Sequence, residues 1–198
     1  MLGRAPNYTL IDQLSHKVSS RAFRGKVQIV TFLFPYCREY CPLIAQHLVG
    51  IEKSLAAAGL LDRVQIISFN VDPENTGPAT LRAFMREYGW NPEDTHWEYL
   101  TGSPGAIRKV VRGGYFINYQ RVSLAFERRE EARARETGHY TPGRMVPNPL
   151  ADRIHPNYDV EHNDVLDVVG PRGRIRAIYP AAETVSCRKL MRLIHELS

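Results

Sequence analysis

Two thiols three residues apart, Cys37 and Cys41, are the side chains of this sequence best suited to chemistry. They lie in Phe32-Leu33-Phe34-Pro35-Tyr36-Cys37-Arg38-Glu39-Tyr40-Cys41-Pro42. Sulfurs at that spacing can close into a disulfide and exchange it, or bind a soft metal. The stretch begins at the end of an apolar run and ends at a proline. That proline suits the first position of a helix, where its missing N–H is no loss. Unpaired N–H groups and the helix dipole favour an anion at such a position. The sequence therefore predicts a thiolate with a lowered pKa, the form that attacks disulfides and binds metals. The plainer reading is two packed core cysteines, since free cysteine is often buried. The order strand, Cys-x-x-x-Cys-Pro, helix favours a redox or metal site instead.

The flanking elements must hold that site. Val27 to Phe34 reads as a strand buried on both faces. Ile44, Leu48, Ile51 and Leu55 then form a 3.6-period stripe, with Gly59 as its C-cap signal. Val64 to Val71 is a second β-branched run ending at Asp72-Pro73. Pro78 to Gly89 bounds a helix with Leu81, Phe84, Met85 and Tyr88 on one face. Strand, helix, strand, helix predicts a parallel pair with a right-handed crossover. Before it, Asn7–Leu10 and Lys17–Ser20 read as a hairpin. After it come a short strand at Trp97–Leu100, a helix from Pro104 to Gly113-Gly114, and a strand-like run from Tyr115 to Val122. Val165–Val169 and Arg174–Tyr179 flank Gly170-Pro171-Arg172-Gly173 as an antiparallel hairpin. Cys187, Leu190, Met191 and Ile194 share one face of a final helix, which makes Cys187 a packing residue rather than a ligand.

The pattern fails between residues 124 and 158. Phe126 to Glu136 is highly charged, and Thr141 to Pro156 is rich in proline. This segment reads as an insertion, a solvated helix followed by a loop, in a single domain of residues 1–198. It would serve as a lid or docking surface, or have no role.

A chain of 198 residues can bury a full core. Its net charge of +5 comes with interleaved acids and no nucleic-acid motif, so nucleic acid is not an expected partner. At most the charge favours an acidic partner or an anionic membrane. Three cysteines are too few for a disulfide scaffold. No apolar run is long enough to span a bilayer, and Met1-Leu2-Gly3-Arg4 does not read as a signal peptide.

The element order resembles a thioredoxin fold, an α/β arrangement of a mixed sheet between helices. Phe34-Pro35-Tyr36-Cys37-Arg38-Glu39-Tyr40-Cys41-Pro42 resembles the Cys-x-x-x-Cys-Pro site of the Sco/SenC family, copper-binding proteins of cytochrome c oxidase assembly. Pro6 with Tyr8-Thr9-Leu10, Gly25-Lys26, Val71-Asp72-Pro73 and Leu100-Thr101-Gly102 resemble further family segments, in the family's order. His162 stands before the last hairpin, where the family places its third copper ligand. Asn163 replaces the usual serine after it.

The resemblance implies one copper ion, Cu(I) or Cu(II), held by Cys37, Cys41 and His162. It also implies delivery of copper to a cytochrome c oxidase subunit or another copper protein, or reduction of that subunit's thiols. It places the protein outside the cytoplasm, in the periplasm or on the outer face of the inner membrane, with membrane association only through an anchor that this sequence does not carry. Two thiolates and an imidazole suit copper, while zinc would need a fourth ligand. The alternative is a thiol–disulfide oxidoreductase or redox sensor using Cys37 and Cys41 without metal. His16, His47, His96, His139, His155 and His195 carry less weight, and Asp72 either orients a neighbour or shapes a turn.

Overall fold

The chain opens with an antiparallel hairpin of β1 (Thr9–Ile11) and β2 (Lys17–Ser19). Gly25, at φ +86°, makes the turn into β3 (Val27–Leu33), whose seven residues are all buried. Then follow α1 (Cys41–Ala57), β4 (Val64–Asn70), α2 (Pro78–Glu87), β5 (Trp97–Leu100) and α3 (Pro104–Gly114). The next elements are β6 (Tyr119–Ser123), α4 (Leu124–Glu136), α5 (Pro149–Ile154) and β7 (Tyr158–His162). The chain closes with β8 (Leu166–Val169), β9 (Ile175–Tyr179) and α6 (Cys187–Leu197). This computed structural model describes residues 2–139 and 145–197.

The main sheet has the order β5-β4-β3-β8-β9. Strand β3 pairs with β4 in parallel and with β8 antiparallel, so the sheet is mixed, as expected. Complete burial of β3 and β4 requires helices on both faces, which explains their unbroken apolar runs. Between the strands, Thr31 and Ser68 share a 2.8 Å hydrogen bond, and Trp97 Nε1 donates to Ser68 Oγ at 2.8 Å. This satisfies buried polar groups that would otherwise oppose folding.

Several buried groups are not satisfied, and Asp167 is one of them. Asp167 of β8 is 1% exposed, its Oδ1 has no partner, and burial pushes its pKa up to about 7. The folded state thus holds a proton that an unfolded aspartate releases near pH 4. Stability at Asp167 is lost as pH rises from about 4 through about 7, by a total on the order of 4 kcal/mol. Asp167→Asn is therefore expected to raise the melting temperature markedly more at pH 8 than at pH 5, where only about a third of that loss has accrued. A denaturation series across that range would check this, and an equal shift at both ends would refute the assignment.

The structure departs from the sequence reading in three places. The strand-like run at Tyr115 begins pairing only at Tyr119, because Phe116 adopts a left-handed φ of +60°. Cys187 is half-buried, its thiol donating to Ser54 Oγ at 3.3 Å, rather than packed in the core. Within residues 124–158, α4 has no buried residue, as its charge predicts, but α5 buries Leu150 and Ala151. Residues 140–144 of the proline-rich stretch lie outside the described residues.

Candidate functional site

Strand β3 ends at Leu33, whose carbonyl accepts from Tyr99 Oη at 3.0 Å and from Val71 N at 3.1 Å. The chain then turns, with Cys37 N donating to Phe34 O at 3.1 Å. It enters α1 at Cys41, with proline in the first turn. This tight geometry brings both thiols to the C-terminal edge of the sheet. Cys41 is fully buried and Cys37 is 7% exposed, and neither is in a disulfide.

His162 arrives from the other side of the sequence. It is the last residue of β7, held opposite Tyr119 of β6. Its Nε2 lies 3.3 Å from Cys41 Sγ, across 121 positions of chain. Its Nδ1 lies 3.2 Å from the Asn163 carbonyl. A carbonyl can only accept, so Nδ1 carries the proton and Nε2 presents a lone pair to the thiol. Burial lowers the His162 pKa to about 4, opposed by the Asn163 carbonyl, so the ring is neutral at ordinary pH.

The sequence predicted a depressed thiol pKa at Cys41, and the structure reverses that direction. Burial pushes it well above its ordinary value, and the hydrogen bond and charge of Cys37 push the same way. The Phe34 N–H, 3.4 Å from Cys41 Sγ, opposes them without prevailing. A helix terminus stabilises a thiolate only modestly, whereas complete desolvation acts on the whole charge. Without metal, Cys41 is a protonated thiol donating toward His162. Iodoacetamide is therefore expected to modify Cys41 on the order of ten times more slowly than Cys37 near neutral pH. Peptide-level mass spectrometry would read the two rates.

Cys37 Sγ accepts from Glu39 N at 3.3 Å. Among the described residues, no three His, Cys, Asp or Glu side chains already form a group that could hold a metal. The donor types nevertheless fit a soft ion: two neighbouring cysteine sulfurs, and a neutral imidazole with its free nitrogen on one of them.

The loop that carries Cys37 is pinned by a residue the sequence reading passed over. Asn148 is fully buried, and its Nδ2 donates to Pro35 O at 2.9 Å and to Cys37 O at 2.7 Å. Its Oδ1 caps α5 by accepting from Leu150 N and Ala151 N. Val146 N donates to Arg38 O at 2.7 Å, and Arg38 pairs with Asp152. Asn148-Pro149 is an N-cap followed by proline at the first helical position, a signal that could have located α5.

Asp72 both orients a neighbour and shapes a turn: its carboxylate accepts from Tyr158 Oη at 2.7 Å and from Asn75 Nδ2 at 2.7 Å, and its carbonyl closes a turn by accepting from Thr76 N at 3.0 Å. The Tyr158 ring lies 5.7 Å from that of Phe34, and the Arg121 guanidinium sits 4.0 Å from its centroid. Tyr158→Phe would leave Asp72 short of one donor, destabilising the fold by about 1–3 kcal/mol. A urea titration would measure that.

A cleft of about 540 Å³ opens beside Cys37 and His162, where the carboxylates of Glu39, Glu127, Glu130, Glu131, Asp159, Glu161 and Asp164 outnumber the cations of Arg38 and Arg128. Burial, then the Glu183 and Glu39 charges, raises Asp164 to about 7. Burial, then Asp159 and its neighbours, raises Glu127 to about 7. So much like charge in one concavity favours cations. The remaining histidines do not join the site: His16, His139, His155 and His195 are exposed, and His96 pairs with Asp94. His47 is half-buried on α1.

The chain is 35% identical over 95 residues to a SCO1 protein homolog of Bacillus subtilis. That match covers 48% of this chain and about half, 47%, of the relative. Among solved structures, a SCO1/SenC family lipoprotein from Bacillus anthracis superimposes with a TM-score of 0.72 at 20% identity, covering 100% of this chain and 96% of that one. BsSco, a Sco family member in which a disulfide switch was identified, gives 0.69 at 23% identity, covering 100% and 94%. Arabidopsis thaliana ScoI, solved with copper bound, gives 0.67 at 20% identity, covering 99% and 97%. These superpositions establish the thioredoxin-like fold of the Sco proteins. Residues 4–141, which include both cysteines but not His162, match the SCO1/SenC family model, and the chain belongs to the SCO1/SenC family.

Proposed function

We propose that Cys37, Cys41 and His162 together hold one copper ion, and that the protein hands it to the copper site of a cytochrome c oxidase subunit. The 3.3 Å approach of His162 Nε2 to Cys41 Sγ carries this reading. It joins an imidazole supplied by a distant part of the chain to the more buried of the two thiols. Binding the ion would require the Cys41 proton to leave, and Cys37 would supply the second sulfur in place of its contact with the Glu39 N–H. The neutral, carbonyl-anchored imidazole needs no deprotonation before it binds. Three ligands leave a position at which a receiving protein can attack, and the acidic cleft favours approach of the cation. The family, and the copper-bound relative, support the choice of metal.

The test is a Cu(I) titration of reduced protein followed by metal analysis, then the same with Cu(II) and absorption spectroscopy. One retained copper per chain and sulfur-to-Cu(II) charge-transfer bands are expected. His162→Ala should weaken retention at least tenfold, and unchanged retention would remove His162 from the ligand set.

The pairing of Cys37 with Cys41 supports a second reading, reduction of a partner's disulfide. Disulfide reduction that survives His162→Ala, but neither single cysteine variant, would favour it. An extracytoplasmic location, suggested by the lipoprotein relative, is tested by cell fractionation.

A further inference from the structure

The end of the sheet farthest from the thiols gathers positive charge from three separate segments. Gly25 N donates to Pro171 O at 3.1 Å, Ala5 N to Gly173 O at 3.0 Å, and Ile175 N to Gly3 O at 3.0 Å. These bonds lace together residues 2–11, 20–27 and 170–176, which contain no aspartate or glutamate. They do contain Arg4, Arg21, Arg24, Arg172 and Arg176, all exposed, and the half-buried Lys26. Arg4, Arg24 and Arg172 line a pocket of about 220 Å³, in which an Arg4 guanidinium N–H donates to Arg172 O at 3.1 Å. Leu2, 43% exposed, adjoins this group in sequence.

We infer that this basic end is a docking surface for an anionic lipid bilayer, its pocket receiving a phosphate headgroup. The inference is independent of the copper reading. Clustered arginines with an adjoining exposed leucine suit a lipid headgroup layer, where cations meet phosphates and an aliphatic side chain can enter. The exposed phenylalanines lie elsewhere, at Phe116 and Phe126, so this end offers none of the aromatic platforms on which nucleic-acid bases stack.

The rest of the charge distribution sets the orientation. Residue 28 of β3 pairs with Val169 at the basic end, and Leu33 leads to the cysteines at the other. A seven-residue strand spans about 23 Å. At the cysteine end stands the acidic cleft of Glu39, Glu127, Asp159 and Asp164. An anionic surface attracts one end and repels the other, so the docked protein holds Cys37 and His162 outward, toward a partner beyond the headgroups.

Sedimentation with vesicles tests this. The protein should bind vesicles of phosphatidylcholine with phosphatidylglycerol, should not bind phosphatidylcholine alone, and should release as salt is raised. Arg24→Ala and Arg172→Ala should each weaken binding about fivefold. The charge-matched pair Arg129→Ala and Arg133→Ala on α4 should leave it unchanged, with circular dichroism confirming that every variant is folded. Equal loss in the α4 pair, or equal binding to neutral vesicles, would overturn the surface. Binding of inorganic phosphate without binding of anionic vesicles would overturn it in favour of a small-anion pocket. Binding of duplex DNA without binding of anionic vesicles would overturn it in favour of nucleic acid.

Discussion

Reduced Cys41→Ser protein is expected to keep its fold and retain no stoichiometric Cu(I). Cys41 is fully buried, so an incoming ion cannot substitute solvent there. Its sulfur lies between the Phe34 N–H at 3.4 Å and His162 Nε2 at 3.3 Å. Serine can keep both hydrogen bonds but offers a hard, protonated oxygen in place of a soft thiolate. Loss of a partner that merely orients a ligand costs roughly 10–100-fold in metal affinity. Loss of a buried ligand sulfur should exceed that range, and competition against a Cu(I) chelator would measure it. The apo protein provides the structural control, because the substitution is nearly isosteric and fills the same cavity. Copper held as tightly by Cys41→Ser as by the parent would end the proposed copper role and leave thiol exchange as the better reading of Cys37.

The sequence displays the site's covalent ingredients and hides its surroundings. Cys37, Cys41 and Pro42 announce themselves because an unbroken apolar strand gives way to a helix of period 3.6 between them. The parallel pairing of β3 with β4 follows almost as directly, since the β-branched runs at Val27 and Val64 are apolar enough to need cover on both faces. His162 is different. Nothing in its own surroundings distinguishes it from six other histidines, and only its place in a family pattern singled it out before its contact with Cys41 was visible. The Cys41 ionisation was misjudged because a helix N-terminus can be read from spacing, whereas complete burial beneath β7 and the Phe34 loop is a tertiary property. The acidic cleft was hidden for the same reason. Its carboxylates are spread from Glu39 to Asp164, and they outnumber the Arg38 and Arg128 cations in one field only when β7 and α4 come to lie beside α1.

Asn148→Ala is expected to destabilise the protein by about 3 kcal/mol and to loosen the site from a distance of 111 residues in sequence. One side chain does two jobs in the folded state. Its carbonyl oxygen caps α5 at Leu150 N and Ala151 N, a role worth about 1 kcal/mol. Its amide group satisfies the buried carbonyls of Pro35 and Cys37, and leaving each without a donor costs about 1 kcal/mol or more. For a chain of this size the melting temperature should fall by about 6–12 °C. Asn148→Asp separates the two roles. A carboxylate caps a helix as well as an amide does, so if capping were the whole contribution, the aspartate variant would match the parent. It has no N–H to donate, however, and sets a negative charge against the Pro35 and Cys37 carbonyls. It should be at least as unstable as the alanine variant at neutral pH. Both variants should also speed alkylation of Cys37 several-fold while scarcely affecting that of Cys187, because only the Cys37 loop is released. A melting curve and a peptide-resolved alkylation rate on the same samples would separate a loosened site from a merely weakened fold: if Cys37 and Cys187 accelerate together, Asn148 supports the fold as a whole and does not position the thiol.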